Sequence, residues 1–210
     1  MSEKNQKQNH HGRAYLRRLL SERNQHPDSA PQIDAALRTA FERKVAMLIL
    51  DMSGFSTLTE RFGIIHFLSM IHQMEQGARP AVTSNGGQVI KQEADNLFAI
   101  FDHPAQALEA ALDIFRSFDA MNTVLPDERD IYGCIGIGYG DTLVIGDDDL
   151  FGVEVNAACK LGEDCAGATE ILLTPAAYLA LPPDRYLCTP DAFVIGDRTI
   201  DCHRYQGRLP

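Results

Sequence analysis

Two aspartates lie in settings that could bind a metal ion. Asp51 follows the apolar run VAMLIL, which is typical of a buried strand, and Asp95 lies between the segments QVIKQ and NLFAIF. If these three segments are neighbouring strands of one sheet, both carboxylates lie at the same edge. Two carboxylates bind Mg²⁺ together with phosphate oxygens. A second interpretation stays open, in which one aspartate caps a helix and the other belongs to a turn.

The residues after Asp51 predict a phosphate-binding turn. The segment DMSGFS places a glycine turn directly before a predicted helix. Backbone N–H groups at a helix N-terminus are exposed and bind phosphate. We therefore expect phosphate contacts from Ser53, Gly54, Phe55 and Ser56.

A second pair of polar residues lies on a predicted helix around 152–164. Asn156 and Lys160 are four residues apart and so share one helix face. Val155 and Cys159 form the neighbouring apolar pair and are expected to face the core. An Asn/Lys pair on a helix is by itself typical of solvated surface.

The glycine-rich segment YGCIGIGYGDTLVIG (132–146) matches neither the dinucleotide-binding pattern G-x-G-x-x-G nor the P-loop. It predicts instead a hairpin whose strands approach closely and which turns at Gly140-Asp141.

The elements that must position these residues follow the order β-α-β-β-α-β. A long helix is expected after the DMSGF turn, a second one begins at Pro104, and the strand EILLT and a C-terminal hairpin complete the chain. Apolar residues at three- and four-residue steps predict the buried face of the long helix: Leu58, Phe62, Ile65, Leu68 and Ile71. The order predicts an α+β fold with a ferredoxin-like split βαβ core, an antiparallel sheet with helices on one face, extended by a C-terminal hairpin region.

Composition limits the classes of binding partner and the cellular compartment that we expect. The chain has 210 residues, of which 45% are hydrophobic, and a net charge of −10. That charge argues against binding to a nucleic-acid backbone. Six apolar residues in a row are too few to span a membrane. Five cysteines without a C-x-x-C motif make a disulfide framework or structural zinc site improbable and indicate a reducing, cytoplasmic compartment.

Charge and turn residues divide the chain into three parts. Residues 1–30 form a polar, mildly basic N-terminal arm that ends in QHPDSAP, 31–44 form a lead-in helix, and 45–210 form the main domain.

Taken together, these segments resemble the catalytic domain of class III adenylate/guanylate cyclases across roughly 40–205. The resemblance rests on four segments: LILDMSGFSTLTERFG, GGQVIKQEADNLFAIF, IGIGYGDTLVIG, and DDLFGVEVNAACKL followed by TEILLT. The resemblance implies that Asp51, Asp95 and the backbone carbonyl of Met52 bind two Mg²⁺ or Mn²⁺ ions.

The resemblance also assigns residues to the nucleotide. Lys91 matches the lysine that donates to adenine N1, and Asp149 matches the acidic residue that accepts from the adenine amino group. Asn156 matches the asparagine that orients the ribose. Lys160 stands where the family has its transition-state arginine, and lysine lacks the planar, multi-donor group of arginine. Ala94 stands where glycine is common, just before the second aspartate.

The family forms its active sites between two subunits, so a homodimer with shared sites is expected. One chain would supply Asp51 and Asp95, and the other Lys91, Asp149, Asn156 and Lys160. The implied reaction converts ATP to 3′,5′-cyclic AMP and pyrophosphate by two-metal catalysis. Two alternatives stay open: a catalytically degenerate cyclase-like module that binds nucleotide or dimerises, and a cyclase for GTP or a pyrimidine nucleotide. The N-terminal arm is a candidate segment for an upstream regulator, or an incidental tail.

Overall fold

The computed structural model describes residues 12–54, 60–126 and 129–209. The helices are α1 (Arg13–Gln25), α2 (Ala30–Phe41), α3 (Ile64–Ser84), α4 (Pro104–Asn122), α5 (Val153–Lys160) and α6 (Pro175–Leu179). The strands are β1 (Glu42–Met52), β2 (Gln88–Glu93), β3 (Asn96–Phe101), β4 (Gly133–Ile145), β5 (Asp149–Phe151), β6 (Ile171–Leu173), β7 (Tyr186–Ile195) and β8 (Arg198–Arg208). A 3₁₀ turn (Pro27–Ser29) joins α1 to α2, and a π-helical turn (Leu161–Cys165) extends α5.

The strands form one sheet in the order β2-β3-β1-β4-β6-β8-β7, and β5 pairs with β4. The pairings are antiparallel except for β4 with β6. Strand β1 lies inside the sheet, between β3 and β4, because it is apolar on both faces. The predicted α+β class, the split βαβ order and the C-terminal hairpin are confirmed.

Alternate residues of β1 contribute to two different cores, as strand geometry requires. Leu48 and Leu50 belong to the larger core, which α3 and α4 cover. Met47 and Ile49 belong to a smaller core on the other face, where they pack with Val155 of α5. The two long helices therefore share one face of the sheet, and the short helix α5 lies on the opposite face.

The glycine-rich segment forms one strand, and the prediction of a hairpin turn at Gly140-Asp141 is wrong. Gly140 lies inside β4 and pairs with Val45 of β1. The glycines recur at alternate positions because α5 packs directly on this face of the strand. A Cβ added at Gly136 would overlap the carbonyl oxygen of Ala158. The glycines thus indicate a close helix–strand contact and not a turn.

The buried face of α3 also differs from the prediction. Leu58 lies outside the described residues, and Phe62, Ile65 and Leu68 are exposed, Ile65 by 82%. Gly63, with φ +84°, interrupts the helical conformation just before α3 begins, which changes the face that continues into the helix. The buried face includes Phe67, Met70, Met74, Ala78 and Val82. Of the predicted residues, Ile71 packs against the core and is partly buried.

The lead-in helix predicted over 31–44 ends earlier, at Phe41, since Glu42 already pairs with Leu143 in the sheet. Within the arm predicted over 1–30, Arg13–Gln25 form α1, which packs on α2 through Leu19 in a small core that includes Ile145. None of the helices in the described part of the chain has both the length and the apolar character that a membrane crossing needs.

Candidate active site

Asp51 and Asp95 lie at the same end of the sheet. Asp51 is near the end of β1, where it pairs with Asn96 of β3 on one side and Cys134 of β4 on the other. Asp95 precedes Asn96 in the tight turn between β2 and β3. Ala94 in this turn adopts a left-handed conformation, φ +52°, where glycine would be less strained. Strand pairing and the turn together position the two predicted metal ligands.

The surroundings of Asp51 disfavour its negative charge. The pKa of the Asp51 carboxyl is raised to about 7, chiefly by burial and also by the charges of Asp95 and Glu163, against a backbone hydrogen bond from Met52 that lowers it. Like charges that cannot all be solvated favour protonation or a bound cation. A cation at this place would relieve the repulsion.

Glu163 is a third acidic residue at this site, and the sequence analysis did not identify it. The Asn96 side chain donates a hydrogen bond of 3.2 Å to Glu163 Oε1, while Asn96 Oδ1 is buried with no hydrogen-bond partner among the described residues. Burial raises the pKa of Glu163, and the charges of Asp164 and Asp95 contribute. The only signal in the sequence was the pair Glu163-Asp164 one helical turn after Lys160.

The donor set fits a hard divalent cation, which prefers carboxylate and carbonyl oxygens. Asp51 and Asp95 would supply carboxylates, and Met52 lies next to Asp51 with its side chain buried. Within residues 12–54, 60–126 and 129–209, no three His, Cys, Asp or Glu side chains form a ready-made metal-binding group. Phosphate and water oxygens would therefore have to complete the coordination.

The predicted phosphate turn is described only in part. Gly54 has φ +90°, as a glycine turn requires. The Ser53 N–H donates to the Tyr132 carbonyl at 2.8 Å, so it is already engaged and does not point freely at a ligand. Phe55 and Ser56 lie outside the described residues.

Lys91 and Asp149 meet, although 58 positions separate them in the chain. Lys91 Nζ lies 3.0 Å from Asp149 Oδ1 and 2.7 Å from Glu93 Oε2, and it lies over the Phe98 ring. Burial alone would lower the pKa of Lys91, but hydrogen bonds to Glu93 and Asp149 outweigh it and raise the pKa. The ammonium group is therefore charged at neutral pH, next to an acceptor.

Asn156 and Lys160 share the exposed face of α5, and Val155 is buried beneath them, as predicted. Both residues line a cleft of about 460 Å³ between α5 and the β7–β8 hairpin, which Arg198 also lines. Lys160 Nζ lies 3.9 Å from Asp164 Oδ2, which is too long for a hydrogen bond. Two cations and an amide thus face one cleft.

Cys159, on the same helix, is close enough to Glu163 and to Lys91 for both charges to act on it. The pKa of its thiol is raised to about 11, chiefly by burial and also by the charge of Glu163, while the charge of Lys91 opposes the rise. The predicted residues therefore form three groups around α5: the acidic residues at the sheet end, the Lys91–Asp149 pair, and the polar face of α5.

The comparisons with known proteins agree with this architecture. No protein-family model matches the chain. A protein of Rhizobium meliloti (strain 1021) with the provisional name adenylate cyclase 3 is 30% identical over 119 residues, which is 57% of this chain and 20% of that protein. The chain therefore matches only a fifth of that relative's length.

Solved structures of cyclases share the fold. A crystal structure named adenylate/guanylate cyclase/hydrolase, from Silicibacter pomeroyi, is 26% identical with a TM-score of 0.62 and covers 80% of this chain and 98% of its own. The guanylyl cyclase Cya2 has a TM-score of 0.69 at 15% identity and covers 80% of this chain and 93% of its own. The resemblance to class III adenylate/guanylate cyclase catalytic domains is confirmed.

Proposed function

Since the chain is similar in sequence and fold to class III nucleotidyl cyclase catalytic domains, we propose that it converts ATP to 3′,5′-cyclic AMP and pyrophosphate. The observation that supports adenine most directly is the contact between Lys91 Nζ and Asp149 Oδ1, 3.0 Å apart. The adenine edge presents an amino donor beside the N1 acceptor, whereas guanine presents the O6 acceptor beside an N–H donor. A lysine beside a carboxylate complements the adenine pattern.

The two ends of the substrate would be held by different groups of residues. Asn156 would orient the ribose, and Lys160 would stabilise the charge that develops on the α-phosphate. Asp51 and Asp95, with the Met52 carbonyl, would hold two Mg²⁺ or Mn²⁺ ions. When bound, such ions supply Lewis-acid activation of the ribose 3′-hydroxyl and neutralise the leaving pyrophosphate.

The proposed active form is a homodimer with shared sites. Asp51 and Asp95 of one protomer would act with Lys91, Asp149, Asn156 and Lys160 of its partner. An exposed apolar surface supports association: Ile64, Ile65 and Leu68 at the start of α3 are exposed by 54%, 82% and 55%. Burying such side chains against a second copy is favourable by the hydrophobic effect.

Two alternatives have specific support. Lys160 in place of the family arginine favours a degenerate module that binds nucleotide without turning it over, since an ammonium group cannot donate two parallel hydrogen bonds as a guanidinium does. The guanylyl cyclases among the structural neighbours favour GTP as the substrate.

One experiment separates these functions. The purified protein is incubated with each of the four nucleoside triphosphates and Mn²⁺, and cyclic products are identified by mass spectrometry. Cyclic AMP from ATP, lost in Asp95→Ala and retained in the exposed-surface control Asp201→Ala, is the expected result. Cyclic GMP as the main product would assign the guanine alternative, and no cyclic product with any nucleotide would assign the degenerate module.

A further inference from the structure

Three donors surround the carboxylate of Asp149. Its Oδ1 accepts from the Leu150 N–H at 2.9 Å and lies 3.0 Å from Lys91 Nζ. Its Oδ2 accepts from Arg13 Nη2 at 3.3 Å. The Asp149 side chain is only 16% exposed. A ligand that donates to Asp149 must therefore compete with a cation already in place.

Arg13 is held there by its own helix. It is the first residue of α1, and its guanidinium also donates to the Asp148 carbonyl at 3.3 Å. Helix α1 packs through Leu19 into the core that contains Ile145 at the end of β4, four residues before Asp149. The position of Arg13 thus follows from packing between α1, α2 and the sheet.

Arg13 is nevertheless able to leave. Its side chain is 48% exposed and its hydrogen bonds to Asp149 and Asp148 are long. Solvent therefore screens the Arg13–Asp149 ion pair, and the pair contributes little free energy. The contact can therefore change apparent affinity without blocking the site.

Adenine and guanine differ in the hydrogen bonds that they can form with Asp149 and Arg13. The adenine amino group is a donor, so at Asp149 Oδ2 it meets a second donor, Arg13, and binds better when Arg13 moves away. Guanine O6 is an acceptor, so it can accept from a guanidinium that stays. We propose, on the basis of the nucleotide-binding function above, that Arg13 is a specificity-determining residue that weakens ATP binding relative to GTP.

Kinetics of Arg13→Gln test this proposal, with Arg17→Gln as the matched control because Arg17 is an exposed arginine on the same helix. KM for ATP should fall roughly two- to five-fold in Arg13→Gln, the range expected for loss of an exposed ion pair. kcat should be unchanged, KM for GTP should not fall, and Arg17→Gln should match the unmodified chain. Arg13→Lys, which keeps the cation, should restore most of the original KM.

Binding without turnover separates this proposal from the proposed function. Calorimetric titration with ATP and Ca²⁺ gives the dissociation constant for each variant. Tighter ATP binding in Arg13→Gln in a chain that forms no cyclic product would support the role of Arg13 and overturn the cyclase function. Equal ATP affinity or KM in Arg13→Gln and Arg17→Gln, an equal gain for GTP, or no ATP binding by any variant, would overturn the role of Arg13.

Discussion

At the scale of single residues, the raised pKa of Asp51 implies that the candidate metal site costs folding stability. The carboxyl titrates at about 7 in the folded chain because of burial and neighbouring charges, and near 3.9 when unfolded. The folded state therefore binds the proton more tightly, and stability is lost as pH rises from about 4 to 7.

Asp51→Asn should remove this pH-dependent loss of folding stability, because an amide carries no charge. Without metal and with chelator, the free energy of unfolding should rise by about 1–2 kcal/mol at pH 8, a value reduced for solvent screening because Asp51 is only partly buried, and by less at pH 5. Urea denaturation at both pH values measures it. Asp201→Asn, on an exposed strand position, should show no such pH-dependent gain. An equal gain at pH 5 and pH 8 would contradict this explanation.

Substitutions of Lys160 test whether the cleft beside α5 supports catalysis. If its ammonium stabilises the transition state, Lys160→Ala lowers kcat roughly 10- to 1,000-fold with little change in KM. Lys160→Arg should hold or raise kcat, because a guanidinium donates two parallel hydrogen bonds. Steady-state kinetics with ATP and Mn²⁺ give both values, with Lys44→Ala as the control lysine.

A kcat that neither Lys160 substitution changes would contradict that role. Arg198 lines the same cleft, and in that case Arg198→Ala is the variant that should lose activity.

At the scale of elements, the contact between β4 and α5 positions the polar face of that helix. Gly136→Ala would force the new methyl group into the Ala158 carbonyl, which is backbone and cannot rotate away. We expect a loss of about 1–3 kcal/mol in unfolding free energy, and a fall in kcat because Asn156 and Lys160 move with the helix.

Gly140→Ala is the matched control on the same strand. Its new methyl group would meet Glu154 Cγ at 2.8 Å, which is side chain and not backbone. Because Glu154 Oε2 accepts from Thr174 Oγ1 at 2.7 Å, moving that side chain has a cost, but we expect it to be smaller than the cost in Gly136→Ala. Thermal unfolding and kinetics of the two variants should therefore differ. Equal losses in both would show that the strand itself, and not the α5 contact, requires glycine.

The sequence predicted the positions that depend on local chemistry. Asp51 after a buried strand and Asp95 in a tight turn were placed correctly at one end of the sheet, because a strand end and a two-residue turn are each marked by neighbouring residues. Lys91 and Asp149 came from the family resemblance alone. Their 3.0 Å contact joins strands far apart in the chain, which periodicity does not reveal.

The features that the sequence analysis predicted wrongly or missed depend on tertiary packing. Glycines at alternate positions of β4 are compatible with a turn or with a close helix, and only the position of α5 decides between them. The start of α3 has apolar residues on two faces, so helical spacing alone could not select the buried one. Glu163 was missed because its role depends on Asn96, which is 67 residues away.

At the scale of the whole molecule, the apolar start of α3 predicts the dimer contact. Ile65→Glu should shift the chain to monomer and abolish cyclase activity without unfolding it, because a charge cannot be buried unpaired at low cost. Sedimentation velocity and circular dichroism measure these effects. Val124→Glu is the control, since Val124 is almost as exposed as Ile65, by 80%. A dimer that persists in Ile65→Glu would place the interface elsewhere.

The sheet order also has a consequence for how this protein can evolve. Asp51 is on β1, which is paired on both sides, whereas Lys91 is next to a β-bulge on the edge strand β2 and Asp149 is on the three-residue strand β5. Substitutions near β1 disturb the middle of the fold, but those on β2 and β5 disturb only its margin. Under the proposed function, nucleobase preference can therefore change by substitution at less cost to folding than the metal-binding residues can.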